Sequence, residues 1–432
     1  MIDLSQLRRE PEVVRAALAR RGVAGDELDA IAALDLEHRE RLSEDEALRA
    51  RIKELSRRVA QARRDHAADA AALADASRAL GDEEARRREE TDALAERLRQ
   101  RLLMVPNLPD ERVPNGRDEN DNVEVRRWWP GCEDSRPAPT YAPHQRVAHW
   151  DVGTELGILD MAAGAKLAGS MFPLFRGAGA RLLRALGSFA LDAHGDAYEE
   201  IRPPTFASGE TMLSTGHLPK SADDMYALER DGLWAIPTGE VPLTSLRRGE
   251  ILDAAQLPMR LCAQTICFRR EAGAAGRDTR GLLRVHEFDK VELFAYCTPE
   301  QADDAHRDIL ERAEGVLRAL GLTYRVLELC TGDLGTASAY TVDLEVFSPG
   351  VDRWLEVSSV SWFRDFQARR ANVRYRRADG STALVHTVNG SGLAWARIWA
   401  ALVETYRRAD GSVQLPDVLA PYLGALTIGP AS

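Results

Sequence analysis

Leu48, Ile52, Leu55 and Val59 recur at i, i+4, i+7 and i+11, the heptad seam of a helix that packs along a partner. They lie in residues 26–103, a stretch without proline that is built mostly from Ala, Leu, Arg, Glu and Asp, good or tolerable helix formers. Leu73, Leu80 and Leu94 keep a seven-residue step afterwards, broken by Arg87. This pattern predicts two long helices folded back as an antiparallel coiled-coil hairpin, each about 35 residues or roughly 50 Å long. The reversal is expected near residues 65–70, although no Gly or Pro marks it. A linker dense in proline follows (Pro106, Pro109, Pro114, Pro130, Pro137, Pro139), and helices and strands then alternate to residue 423.

A period of two takes over at residues 262–294. Alternation sets Cys267, Arg269 and Glu271 on one face of a strand, and His286, Phe288, Lys290 and Glu292 on one face of its return. The loop between them, residues 272–283, holds Gly273, Gly276, Gly281, Arg277 and Arg280. A guanidinium matches phosphate or carboxylate, and a phenyl ring offers a surface to a base. A structural salt-bridge ladder fits the same spacing. Residues 388–399 read as turn residues (Asn389, Gly390, Ser391, Gly392) leading into an apolar helix, with Arg397 one turn inside it. An arginine in that setting wants an anion or snorkels to water. Asp343, Glu345 and Glu356, set between apolar strand residues near Ser359, suit magnesium or the protection of a sheet edge.

Composition narrows the choice. With 432 residues, 44% hydrophobic and 29% charged, the chain can bury a sizeable core. A net charge of −11 excludes a general basic coat, so any polyanion must meet a local patch. One such patch exists: residues 49–64 carry Arg49, Arg51, Lys53, Arg57, Arg58, Arg63 and Arg64 against Glu54 alone. From charge alone this is a solvated coiled-coil face or a phosphate-contacting arm. No run of about 18 apolar residues is present, so no membrane span is expected. The N-terminus lacks the apolar core of a secretory signal, and five cysteines without a CxxC pair suit a reducing cytoplasm.

In combination these segments resemble the bacterial-type seryl-tRNA synthetases of class II. Residues 105–109 (VPNLP) and 116–126 resemble that family's junction after the arm. Residues 200–204 (EIRPP) resemble motif 1, and residues 268–271 (FRRE) through 286–290 (HEFDK) resemble motif 2. Residues 389–392 (NGSG) through Arg397 resemble motif 3, and residues 236–242 (IPTGEVP) the serine-contacting loop. The resemblance implies an α+β fold with an antiparallel catalytic sheet of six to seven strands flanked by helices. Residues 1–105 would form the tRNA-binding arm, 106–140 a linker and 141–432 the catalytic domain, in a cytoplasmic homodimer joined through motif 1. Its implied activity is ATP- and Mg2+-dependent activation of L-serine and transfer to the 3′ end of tRNA(Ser), with tRNA(Sec) a conceivable second acceptor.

Residue roles carry over in the same way. Arg269 would hold the α-phosphate and the serine carboxylate, and Arg397 would reach the terminal phosphate and cover the adenine. Phe288 would stack on the base, while Glu271 and the Val285 backbone read its edge. Arg270, Val357 and Ser358 complete the implied ATP-binding set, and Glu356 and Ser359 would hold magnesium. Pure alternation places those last two on opposite faces, so a bulge or strand end must intervene. Thr238, Gly239 and Glu240 would surround the serine ammonium. Glu292 and Ser391 would accept its hydroxyl, with Asn389 beside them. Arg57, Arg58, Arg63 and Arg64 would grip the tRNA's long variable arm.

Departures from the family pattern fall at Gly239, Ala274, Ala275, Tyr340, Val342, Val360, Trp362, Arg364, Trp395 and Ala396. Added tryptophans would change the volume of a compact pocket. Drift explains them, and so does a specialised or inhibitor-tolerant second copy. Two other classes remain: a non-catalytic RNA-binding paralogue, and an amino-acid:carrier-protein ligase. Retention of Arg269, Glu271, Glu292, Asn389, Ser391 and Arg397 speaks against the first, and the long arm against the second.

Overall fold

The computed structural model describes residues 1–273 and 279–429. Ala274, Ala275, Gly276, Arg277 and Asp278, named above in the motif 2 loop, lie outside the described residues. Two compact units form: Ile2–Pro106, and Asn107 onward together with Met1.

In the first unit, α1 (Gly25–Arg64) and α2 (Ala70–Met104) are the two limbs of the hairpin. They run 40 and 35 residues, so the outgoing limb exceeds the length expected of it. Reversal occurs at residues 65–69, where His66 takes φ 51° and so fills a role usually left to glycine. Leu48 and Leu94 are buried in the seam, while Ile52, Leu55, Val59, Leu73 and Leu80 are half-buried. Arg87 breaks the apolar step yet pairs with Glu44 on the opposite limb at 3.3 Å and with Glu83 at 3.0 Å. Close by, the Thr91 hydroxyl donates to Asp45 at 2.8 Å, both side chains being buried. Arg49 pairs with Glu84 at 2.9 Å and Arg64 donates to Gln61. Arg57, Arg58 and Arg63 are exposed.

The second unit is built on one eight-stranded sheet, one strand more than the resemblance implied. Its strands are β1 (Val123–Trp128), β2 (Glu199–Glu200), β3 (Met259–Phe268), β4 (Glu287–Cys297), β5 (Tyr324–Glu328), β6 (Tyr340–Ser348), β7 (Arg353–Trp362) and β8 (His386–Ala394). Their order is β1-β5-β6-β7-β8-β4-β3-β2. Every neighbouring pair is antiparallel except β2 with β3. β1 comes from residues 106–140, so the proline-rich stretch expected as a linker supplies a sheet edge. Helices α3 (Ala178–His194) and α4 (Ala302–Ala319) pack against this sheet through Leu182, Leu186, Phe189 and Ala190, and through Ala305, Ile309, Ala313 and Val316. Each set repeats at three or four residues, the spacing of one helical face. Among the described residues no helix is long and apolar enough to cross a membrane.

Residues 389–392 correct a reading of the sequence. They are not a turn but the interior of β8, which runs into helix α6 (Trp395–Thr405). Close packing explains their glycines: a Cβ on Gly390 would lie 2.6 Å from Ile309 Cγ2, and one on Gly392 2.6 Å from His194 Nε2. The β8–β4 register also slips between Ser391 and Leu393, which leaves Gly392 as the extra residue of a bulge.

Candidate active site

Antiparallel pairing between β3 and β4 sets Cys267 opposite Phe288, Thr265 opposite Lys290 and Ala263 opposite Glu292. Period-two alternation therefore lines up Phe288, Lys290 and Glu292 on one face, as the sequence indicated. β8 joins beside β4 and brings Ser391 opposite Glu292. On β7 the register shifts between Leu344 and Glu345 of β6, with Ser358 opposite the first and Glu356 opposite the second. Val357 is thus the bulged residue. This is the irregularity that lets Glu356 and Ser359 border the same cavity.

Two cavities open on this face. One, of about 300 Å³, is bordered by Glu271, Leu283, Val285, Phe288, Val357 and Arg397. The other, of about 370 Å³, is bordered by His217, Thr238, Glu240, Ser359, Asn389 and Ser361. Arg269, Lys290, Glu356 and Ser391 border both, so the two spaces meet at these four side chains.

The first cavity is a slot with charged ends. Arg269 lies over the Phe288 ring, its guanidinium carbon 5.2 Å from the centroid. His286 fixes the root of this arginine: the Arg269 N–H donates to the His286 carbonyl at 2.9 Å, and His286 Nδ1 meets the Arg269 carbonyl at 3.0 Å. Glu271, at φ 51°, accepts from Arg284 at 2.6 Å. Arg397, in the first turn of α6, donates to the Leu283 carbonyl at 3.2 Å and the Glu356 carbonyl at 2.7 Å. The backbone at residues 282–283 is itself braced, because Leu282 N–H donates to buried His149 Nε2 at 2.9 Å. The other ring nitrogen of His149 meets Glu404 at 2.8 Å.

Behind the wall of the second cavity lies Glu292, which is fully buried and borders neither space; its partners Thr238, Lys290 and Asn389 line the second. It accepts from Asn389 Nδ2 at 2.9 Å and Thr238 Oγ1 at 2.9 Å, and it pairs with Lys290. Lys290 also donates to Thr238 Oγ1 at 2.8 Å. Glu240 sits within reach of this group; burial first, then the Glu292 charge, pushes its carboxyl up to about 7. His217 Nδ1 meets Thr215 Oγ1 at 2.8 Å, and burial pushes this imidazole down to about 4. Opposite Ser359 on the neighbouring strand, Asp343 is buried with Oδ1 lacking a hydrogen-bond partner, and burial followed by the Glu356 charge holds its carboxyl well above the usual range. An orphaned carboxylate oxygen beside a second acid fits a hard divalent cation that takes oxygen ligands.

Some residues named from the sequence fall elsewhere. Arg270 borders neither cavity; its backbone N–H donates to the Asp224 carbonyl at 3.0 Å, because the strand ends at Phe268 and alternation stops there. Ser358 faces the other way and donates to the Ser391 carbonyl at 2.8 Å. Gly239 lies behind Glu292, whose Cβ a methyl there would meet at 3.0 Å. Trp362 and Tyr340 border neither space; the Arg112 guanidinium lies over both rings. Trp395 packs under Gly187 and borders a separate 140 Å³ cavity beneath Phe288. Neither tryptophan borders the two main cavities, whereas Ala396, next to Trp395, lines the first. Conversely, the sequence reading did not single out Arg284 or His217; it set Lys290 on the right face without giving it a role, and it named Asp343 only among the acids suited to magnesium.

Comparison with known proteins agrees with this arrangement. Residues 1–109 match the seryl-tRNA synthetase N-terminal domain, and residues 226–406 the tRNA synthetase class II core domain (G, H, P, S and T). The serine–tRNA ligase of Gemmatimonas aurantiaca is 48% identical over 433 residues, covering 98% of this chain and 99% of its own. The chain belongs to the class II seryl-tRNA synthetases. A serine–tRNA ligase of Acidithiobacillus ferrooxidans is 46% identical, with 99% of both chains covered. The crystal structure of seryl-tRNA synthetase from Pyrococcus horikoshii, complexed with ATP, superposes with a TM-score of 0.89 at 33% identity, covering 100% of both chains. The enzyme is thus a serine–tRNA ligase.

Proposed function

We propose that the two cavities are the nucleotide and serine compartments of one adenylate-forming site, and that the reaction takes place where they meet. The observation that carries this is the sharing of Arg269, Lys290, Glu356 and Ser391 between them. ATP lies with its base on Phe288, its adenine edge at Glu271 and Val285, and its terminal phosphate toward Arg397. Serine enters the second compartment with its ammonium at Thr238 and Glu240 and its hydroxyl at Glu292 and Ser391, next to Asn389. Its carboxylate then attacks the α-phosphate, and pyrophosphate leaves. No general base is required, because a carboxylate is already ionised at neutral pH. Arg269 and Lys290 sit at the joint, where negative charge accumulates, so the chain contributes orientation and electrostatic stabilisation. Magnesium would be held by Glu356 and Ser359 with Asp343 behind them, and would supply charge neutralisation to the phosphates.

Glu292 also gives a physical basis for choosing serine. An alanine in the pocket would leave its buried carboxylate without the hydroxyl partner, a mismatch that sites of this type discriminate by a factor of roughly 10⁴–10⁵. In the second step the seryl group passes to the 3′-terminal ribose of tRNA(Ser), which the exposed arginines of the arm hold by its phosphates. We place the enzyme in the cytoplasm as a homodimer, joined where the two-residue β2 leaves an open sheet edge. Pyrophosphate exchange with each of the twenty amino acids tests the assignment. Exchange is expected with serine well above all others; exchange with none, or with a different amino acid, would overturn it.

A further inference from the structure

Glu240 receives one side-chain hydrogen bond from outside the pocket wall. Gln367, at the second position of α5 (Phe366–Ala371), donates from Nε2 to Glu240 Oε1 at 2.5 Å. Gln367 is wholly enclosed, with 0% of its surface exposed. An amide can be reversed end for end, but this one is pinned. Its Nε2 also faces the Thr215 carbonyl at 3.3 Å, and its Oε1 accepts from the Thr387 hydroxyl at 2.6 Å. Turned over, it would set an oxygen against two oxygens. Thr387 is equally buried and stands on β8, two residues before Asn389.

We infer that Gln367, locked by Thr387, is a positioning residue that supplies the hydrogen bond Glu240 needs in order to act as the receptor for serine's ammonium. The inference rests on the assignment of Glu240 made above. Several charges bear on that carboxyl. Glu292 and Lys290 face it from β4, Arg269 faces it from the end of β3, and His217 borders the same space from the segment after Thr215. Burial and Glu292 favour the protonated form, whereas Gln367, Lys290 and Arg269 favour the ionised one. A donor accepted by the charged form stabilises that form. Without it the carboxyl keeps its proton further into the alkaline range, and while protonated it offers an ammonium no counter-charge.

The test is the serine KM in pyrophosphate exchange, followed from about pH 6 to about pH 8.5, for the native enzyme, Gln367→Met, Thr387→Val and Glu240→Gln. In the native enzyme KM should fall as pH rises through about 7, where Glu240 ionises. Gln367→Met should move this limb to higher pH by about one unit. Its serine KM would then be raised roughly threefold near pH 7.5 and close to tenfold near pH 6, with the gap closing at the alkaline end and the ATP KM unchanged. Thr387→Val, close in shape to the native residue, should shift the limb the same way by less. A rise in KM by the same factor at every pH, or no shift in either variant, would overturn the role given to Gln367. Glu240→Gln keeps the two failures apart: an unchanged serine KM in that variant would overturn the assignment of Glu240 itself.

Discussion

Phe288 and Arg269 show how much one ring contributes to this site. The guanidinium rests over the phenyl face, so the ring is the platform for the arginine that borders both cavities and, in the proposed site, also the floor for the base. Stacking of a base on an aromatic side chain is worth about 1–3 kcal/mol. Phe288→Leu should therefore raise the ATP KM roughly tenfold or more in serine-dependent exchange, while the serine KM stays within about twofold; steady-state exchange kinetics at varied ATP and serine would check it. The sequence disclosed Phe288, Lys290 and Glu292 together because a strand has a fixed period, and nothing interrupts β4 between them. It could not disclose how Glu356 and Ser359 come to share a side, since the bulge at Val357 leaves no mark in residue type. Gln367 was silent for another reason: a buried amide is identified by what it bonds to, and its partners Glu240, Thr215 and Thr387 come from distant parts of the chain.

At the level of elements, the hairpin was the most legible feature. Leucine every seventh residue and the absence of proline describe a long helix without help from the rest of the protein. Under the proposed function, the exposed arginines near its reversal serve tRNA binding, which is separable from the chemistry at the sheet. Reversing Arg57, Arg58, Arg63 and Arg64 to Glu should reduce tRNA charging by a hundredfold or more, given that affinity for a polyanion depends steeply on the number of phosphates neutralised. Serine-dependent pyrophosphate exchange should remain at the native level, and equal loss of both activities would refute the division of labour. β8 was the least legible element. Asn, Gly and Ser in succession are turn formers by composition, yet here Gly390 and Gly392 answer to the neighbours that crowd them, Ile309, Val360 and His194. Local preference yields to packing when a strand is covered on both faces.

Across the molecule, several buried histidines tie stability to pH. Burial pushes His194, His217, His306 and His386 down to about 4. In the unfolded chain each returns to about 6.5, so between these values the unfolded state binds more protons. Their contribution to stability is complete above about pH 6.5 and is lost as pH falls toward 4. Glu240 and Asp289, raised to about 7 and about 6, act in the opposite sense over part of that range and soften the decline. His194→Gln should isolate one histidine's share: the gap in unfolding free energy between native and variant enzyme, from urea titrations, should narrow steadily from pH 6.5 to pH 4, by up to about 1.4 kcal/mol for each pH unit. A constant gap would show that His194 does not titrate in this way. The polar residues inside the hairpin have a different consequence. A slip of one heptad would part Asp45 from Thr91 and pull Arg87 from Glu44, so the two limbs lock in a single register. The arm then behaves as a calibrated gauge, holding its cations at one set distance from its own root.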